Sequence, residues 1–242
     1  MEVIFLLSVV VPCYNEISRE GFSFINRVEY LVADLFMEFD DNEYEIILVS
    51  DGSTDGTDMQ IIDLSYRYSF VKSVVYTKNR GKGYAIKRGV LRANGDVILI
   101  MDADLSTDIS NIKPFYNKID VYDGVIGIRS VGYNTNARRV LSTLSHFCMT
   151  RVLHLHVKDT QCGFKMFKAD IIKKFCTDFQ TCDKWLFDAE LLVFLEQNRF
   201  KVRSELVEWN NSEDSRVKVF GGTLTSCFEL LRISRHIKDY RL

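Results

Sequence analysis

Val97-Ile98-Leu99-Ile100-Met101-Asp102-Ala103-Asp104-Leu105-Ser106 is an unbroken apolar run that ends abruptly in two carboxylates. A run this short and this apolar, rich in β-branched residues, reads as a strand buried on both faces. Such a strand belongs in a sheet that helices cover on either side. The flanking sequence repeats the pattern. Val3–Val11, Glu45–Ser50, Val71–Thr77 and Gly124–Ile128 have the same strand character, while Phe24–Phe39, Asp58–Tyr68 and Lys82–Ala93 carry apolar residues at helical spacing. The alternation predicts an α/β fold with a mainly parallel central sheet flanked by helices. Ligands of such sheets bind at the carboxyl ends of the strands. Pro12-Cys13-Tyr14-Asn15-Glu16, Asp51-Gly52-Ser53 and Asp102-Ala103-Asp104 all fall there.

Beyond about residue 130 the alternation stops. Asn136–Leu155 and Asp183–Gln197 read as helices, Lys201–Trp209 as a strand, and the tail from Thr223 as a helix again. With two prolines and no Ser/Gly-rich stretch, no linker is evident, so residues 1–242 are expected to form a single domain. A hydrophobic share of 47% supplies a core, and a net charge of -2 argues against a nucleic-acid partner. Six cysteines (Cys13, Cys148, Cys162, Cys176, Cys182 and Cys227) lack Cys-x-x-Cys spacing, which points to reduced thiols in a cytoplasmic compartment. Val3–Val11 is far shorter than the roughly 20 residues a spanning helix needs. It also lacks the flanks of a signal peptide, so no transmembrane segment is expected.

The chemistry starts from the aspartates. In an extended segment residues i and i+2 point the same way, so Asp102 and Asp104 are expected to present two carboxylates on one side. That arrangement suits a hard divalent cation, Mg²⁺ or Mn²⁺, completed by substrate phosphates. Ser50-Asp51-Gly52-Ser53-Thr54-Asp55-Gly56-Thr57 reads as a strand-to-helix turn with Asp51 able to accept hydrogen bonds from a base or ribose. In Lys78-Asn79-Arg80-Gly81-Lys82-Gly83, glycines let a ligand approach the backbone, while helix-start amides and Lys82 favour phosphate. No Gly-x-Gly-x-x-Gly follows the first strand, which disfavours a dinucleotide oxidoreductase.

Val-Val-Pro-Cys-Tyr-Asn-Glu (10–16), Ser-Asp-Gly-Ser-Thr-Asp-Gly-Thr (50–57), Asn-Arg-Gly-Lys-Gly-Tyr-Ala (79–85) and Met-Asp-Ala-Asp-Leu-Ser (101–106) occur in this order. Together they resemble glycosyltransferase family 2, and the resemblance implies the GT-A fold. Asp159-Thr160-Gln161-Cys162-Gly163-Phe164-Lys165 and Trp185-Leu186-Phe187-Asp188-Ala189-Glu190-Leu191-Leu192 resemble the dolichyl-phosphate β-glucosyltransferases and their polyprenyl-phosphate relatives, although Asp-Ala-Asp-Leu-Ser is more like the mannosyl relatives. The resemblance implies a nucleotide-sugar-binding half (1–128) and an acceptor-binding half (129–242). Pro12, Tyr14, Glu16, Asp51, Lys82 and Asp102 would then line the donor site, and Asp102 and Asp104 would hold the metal against the donor diphosphate.

A lipid phosphate acceptor is already ionised and needs cations to hold it. Arg129, Arg138, Arg139 and Arg216, with Ser142 one helical turn beyond Arg138, are the candidates, joined by Lys218. A hydroxyl acceptor needs a base instead. Asp188 is a candidate base or acceptor-positioning group, and a structural acid is an equal reading; Asp104, Asp188 and Arg129 make up the candidate catalytic set. The implied reaction is inverting transfer of glucose from UDP-glucose to dolichyl or polyprenyl phosphate. GDP-mannose as donor, a protein or glycan hydroxyl as acceptor, and a sugar-nucleotide-binding protein without turnover stand as alternatives. Peripheral membrane contact is expected from Arg232, Arg235, Lys238 and Arg241 beside Leu230, Leu231, Ile233 and Ile237, and from the helix Asn136–Leu155. The cytosolic face of a membrane, the endoplasmic reticulum in a eukaryotic host, is the implied location.

Overall fold

The structure, a computed structural model, describes residues 5–18, 23–40, 42–129, 149–157, 159–184, 186–209 and 223–242. Seven strands form one sheet: β1 (Leu7–Cys13), β2 (Tyr44–Asp51), β3 (Val71–Tyr76), β4 (Val97–Ile100), β5 (Gly124–Arg129), β6 (Lys165–Lys168) and β7 (Val202–Val207), in the order β3-β2-β1-β4-β6-β5-β7. β1 runs parallel to β2 and β4, β2 to β3, and β5 to β7. Only β6 is antiparallel to its neighbours β4 and β5. The GT-A expectation of a mainly parallel sheet is therefore met.

The unbroken apolar runs have a direct cause. On β1 and its neighbours, Val10, Ile47, Val49, Ile98 and Ile100 face one core layer, and Val9, Val11, Ile46, Leu48, Val97 and Leu99 face the other. Both faces are buried, so either parity of the strand favours apolar side chains, and the polar Ser8 and Glu45 among them are hydrogen-bonded to each other at 2.7 Å. One layer is closed by α1 (Phe24–Glu38), α2 (Thr57–Arg67) and α4 (Ile112–Tyr116), with Leu31, Leu35, Ile61, Leu64 and Phe115 pointing inward. The other is closed by α3 (Lys82–Arg92), α5 (Ala169–Lys174) with its π-helical continuation Phe175–Phe179, and α6 (Phe187–Gln197). α7 (Thr223–Arg235) adds Ile233 to this second layer.

Three expectations change. β6 and the turns of α5 were not anticipated: the strand is four residues long and begins and ends in lysine, so it lacks the apolar run that marked the others. The helix expected from Asp183 begins at Phe187, because residues 181–184 lie stretched against α3 instead of coiling. In Asn136–Leu155, positions 136–148 lie outside the described residues. Of the remainder, 149–153 are helical, with Met149 and Leu153 buried and Val152 exposed.

Candidate active site

Three chain segments meet beyond the carboxyl ends of β1, β2 and β4. The first two are held together by side chains of the Ser50–Thr57 turn. Asp55 accepts from the backbone N–H and the hydroxyl of Thr57 (3.0 and 2.6 Å) with one carboxylate oxygen. With the other it accepts from the N–H and hydroxyl of Ser18, at 2.9 Å each. Burial alone would raise the Asp55 pKa, but these four donors outweigh it and bring it down to about 2. Thr57 in turn accepts from the N–H of Glu16 at 2.8 Å. Glu16 itself is buried, with its carboxylate 3.1 Å from the Arg27 guanidinium of α1. Tyr14 stands exposed beside it and Pro12 is half-buried at the end of β1.

Asp51 is buried at the end of β2. Its Oδ1 accepts from the Tyr76 hydroxyl (2.9 Å) and the Arg80 N–H (2.8 Å), and its Oδ2 from the Gly81 N–H (2.8 Å). Asp51 therefore shapes the loop that leads into α3 and carries Lys82. The glycines of that loop accommodate the protein's own chain. A Cβ on Gly81 would lie 2.6 Å from the Asp183 carbonyl oxygen, and one on Gly83 2.6 Å from that of Cys182. The helix-start N–H groups of Gly83 and Tyr84 donate to the carbonyls of Lys184 (3.2 Å) and Asp183 (2.9 Å). The expectation that these two amides face phosphate is thus corrected: they are already bonded to residues 183–184.

Lys82 itself points to the aspartates. Its Nζ lies 2.6 Å from Asp102 Oδ1. Burial disfavours the ammonium, yet Asp102, Asp188 and Asp104 outweigh that and hold its pKa above the ordinary lysine value. Contrary to the expectation of an extended segment, the two aspartates lie beyond the strand, because β4 ends at Ile100 and a turn follows. The Leu105 N–H reaches back to the Asp102 carbonyl at 3.4 Å, with Leu105 in the left-handed region at φ 53°. Asp104 accepts from the Ser106 N–H at 3.0 Å. The field of both carboxylates still converges on one ammonium.

Residues 159–165 supply the remaining contacts. Asp159 grips Arg129 with both oxygens, at 2.8 Å to Nε and 3.0 Å to an Nη, and the guanidinium lies 5.5 Å from the Trp209 ring centre. Burial would raise the Asp159 pKa, but the Arg129 pairing outweighs it and lowers it. Gly163 lies so close to Asp102 that a Cβ there would stand 1.9 Å from Oδ2. Lys165, 1% exposed, pairs with Asp188 of α6 at 2.6 Å and also donates to the Cys162 carbonyl. Lys82 thus lies in the field of Asp102, Asp104 and Asp188, the last of which is itself paired with the buried Lys165.

A family model described as glycosyl transferase family 2 matches residues 8–176, well over half of the chain. The chain belongs to that family. This family 2 glycosyltransferase is 34% identical to a dolichyl-phosphate beta-glucosyltransferase of Trichomonas vaginalis, over 94% of this chain and 72% of that one. It is 29% identical to the dolichyl-phosphate beta-glucosyltransferase of Homo sapiens, over 94% and 74%. The fold is that of the glucosyl-3-phosphoglycerate synthase of Mycobacterium tuberculosis. In a complex of that protein with Mn²⁺, UDP-glucose and phosphoglyceric acid, the TM-score is 0.69 at 15% identity, over 96% of this chain and 79% of that one.

Sequence reasoning about this family 2 member singled out Asp102, Asp104, Asp188 and Lys82, and the structure brings the four together. Arg129 stands at the end of β5, held by Asp159. Arg138, Arg139, Ser142, Arg216 and Lys218 lie outside the described residues. Lys165, Asp159 and Gly163 carry no signal of their own beyond the motif that contains them. Their partners are 23 to 30 residues away or further, and no local pattern reveals such pairings. Glu190 carries no signal beyond its motif either. The tail also changes: Arg232 donates to the Thr181 carbonyl at 2.6 Å, Ile233 is buried, and Leu230 and Ile237 pack on the core. Among the described side chains of the tail, Phe228, Leu231 and Leu242 are the exposed apolar ones, at 73%, 50% and 66%, and Arg235 and Lys238 are exposed as well. Among the described residues no helix is long and apolar enough to cross a membrane.

Proposed function

We propose that the chain transfers glucose from UDP-glucose to dolichyl or polyprenyl phosphate, with inversion at the anomeric carbon. The observation that carries this reading is the convergence of Lys82 on Asp102, Asp104 and Asp188. It is supported by the names of the relatives, which are dolichyl-phosphate β-glucosyltransferases, and by UDP-glucose and Mn²⁺ in the fold neighbour. A phosphate oxygen of the lipid attacks the anomeric carbon as the bond from that carbon to the diphosphate breaks, and UDP departs with the electron pair. The acceptor needs no base, so Asp188, fixed by buried Lys165, serves to orient the reacting groups.

Asp102 and Asp104 fit a divalent ion. They are hard oxygen donors, Asp102 is 43% exposed, and Mg²⁺ or Mn²⁺ commonly takes only one or two protein carboxylates beside substrate phosphates. Bound there, the ion would neutralise charge on the leaving diphosphate. Lys82 contributes a fixed cation to the same task, in a site where such preorganised charge is worth several kcal/mol. Pro12, Tyr14, Glu16 and Asp51 shape the nucleotide end of the site, the last two through the contacts they make within the protein. Holding the acceptor phosphate falls to Arg129, Arg138, Arg139, Ser142 and Arg216. Residues 1–128 chiefly serve the donor and 129–242 the acceptor within one domain, with Gly163, Asp188 and residues 181–184 reaching back to the donor side.

A lipid acceptor requires a membrane surface. Phe228, Leu231, Arg235 and Lys238 on the outer side of the tail give an apolar and basic contact with the cytosolic leaflet, that of the endoplasmic reticulum in a eukaryotic host. Calorimetric titration with UDP and with GDP, each with and without Mn²⁺, tests the donor assignment. UDP binding that needs the metal is expected. Tighter binding of GDP would replace the donor with GDP-mannose.

A further inference from the structure

Glu190 lies on α6, fully buried, and takes no part in the chemistry described above. Its carboxylate accepts from the N–H of Thr181 at 2.9 Å, from the Thr181 hydroxyl, from the N–H of Cys182 at 2.9 Å and from the Tyr240 hydroxyl at 2.6 Å. Arg232 of α7 approaches the same stretch from outside, donating to the Thr181 carbonyl at 2.6 Å and to Cys182 Sγ at 3.4 Å. Gln180 bridges it to α3 through the Gly83 carbonyl at 2.9 Å. Immediately after this anchored stretch, the carbonyls of 183 and 184 receive the N–H groups of Tyr84 and Gly83. Residues 182–183 also fill the space left by the absent Cβ atoms of Gly81 and Gly83. Lys82 sits between those glycines.

We propose that Glu190 is a positioning residue for the donor site, through which Arg232 and Tyr240 of the carboxyl-terminal segment latch residues 181–184 against the Lys82 loop. A buried carboxylate is stable only while its donors surround it, so Glu190 forces Thr181 and Cys182 into one arrangement. The arrangement is passed by backbone hydrogen bonds to the residues on either side of Lys82. The position of the Lys82 ammonium opposite Asp102 therefore depends on a tail residue 50 positions from Glu190. The inference rests on the donor site being where it is proposed above.

The test uses the full chain and the variants Tyr240→Phe and Arg232→Ala, each of which removes polar contacts without opening the core. Hydrogen exchange read by mass spectrometry is expected to show residues 81–85 and 181–184 exchanging on the order of tenfold faster in either variant. Protection of β1 and β2 should be unchanged, an outcome that general destabilisation would not give. The dissociation constant of uridine diphosphate with Mn²⁺ should rise on the order of tenfold, and kcat at saturating donor should fall as well, because a displaced Lys82 ammonium no longer stabilises the leaving diphosphate. Wild-type exchange rates at 81–85 in both variants would overturn the latch, as would faster exchange with unchanged affinity. If wild-type protein fails to bind uridine diphosphate, the donor-site reading falls and the proposal with it. That failure is separate from one seen only in the variants.

Discussion

Gly163→Ala is the most informative single substitution, because it adds one methyl group beside Asp102 and changes no charge. The new Cβ would stand 1.9 Å from Asp102 Oδ2 and 2.4 Å from its Cγ, whereas contacts below 3.0 Å are essentially never seen. Gly163 has no positive φ, so alanine fits its backbone and the clash must be relieved by the carboxylate. The oxygen has to move by at least 3.0 − 1.9 = 1.1 Å. Asp102 is 43% exposed and can swing outward, which keeps the cost to folding small but carries its Oδ1 away from the Lys82 ammonium. A displacement of about 1 Å in a reacting assembly can cost on the order of 100-fold in rate, or about 2.7 kcal/mol of barrier. Steady-state transfer kinetics should therefore show kcat/KM falling about 100-fold, with a melting temperature within a few degrees of wild type. Activity within threefold of wild type would refute the role given to the Asp102 position, and a collapse in melting temperature would refute the argument that the carboxylate yields.

Three further outcomes follow from the same geometry. Lys165→Met leaves Asp188 buried without its ion partner and should destabilise by about 3–5 kcal/mol in urea titration, with part of the loss recovered in the double variant with Asp188→Asn. Asp55 has a folded pKa near 2, below the value of about 3.9 in an unfolded chain. Its contribution is therefore complete above about pH 4 and lost as the pH falls towards 2. Asp55→Asn should cost about 1–2 kcal/mol at pH 7, allowing for partial exposure, and the difference from wild type should shrink between pH 4 and pH 2. Removing the divalent ion with a chelator should weaken uridine diphosphate binding by on the order of 100-fold, measured by calorimetry, and Asp104→Asn should reproduce most of that loss.

The centre of the parallel sheet was legible because β1, β2 and β4 are mostly apolar on both faces, a pattern that survives without knowledge of the neighbours. β6 was not, since Lys165-Met166-Phe167-Lys168 owes its place to the antiparallel slot between β4 and β5 and not to its own composition. The start of α6 was misjudged because residues 181–184 are held straight by Glu190 and α3, contacts that no helical period encodes. At the site, Asp51, Asp102 and Asp104 could be found from their position after strands, and Asp188, on α6, only from the motif that contains it. What could not be found were their partners. A glycine beside a lysine looks the same whether it makes room for a phosphate or for the protein's own carbonyls, and Gly81 and Gly83 do the latter. The bidentate hold of Asp159 on Arg129 likewise depends on β5 and the stretch before β6 being brought together by the sheet.

The central claim is transfer to a lipid phosphate by the acidic cluster at the end of β4. Its most direct test is incubation of purified protein with Mn²⁺, dolichyl phosphate and radiolabelled UDP-glucose or GDP-mannose, followed by extraction into organic solvent. Label from UDP-glucose is expected in the lipid phase with wild-type protein and not with Asp104→Ala. No label in the lipid from either donor, while metal-dependent donor hydrolysis persists, would contradict the lipid-phosphate acceptor and leave a hydroxyl in its place.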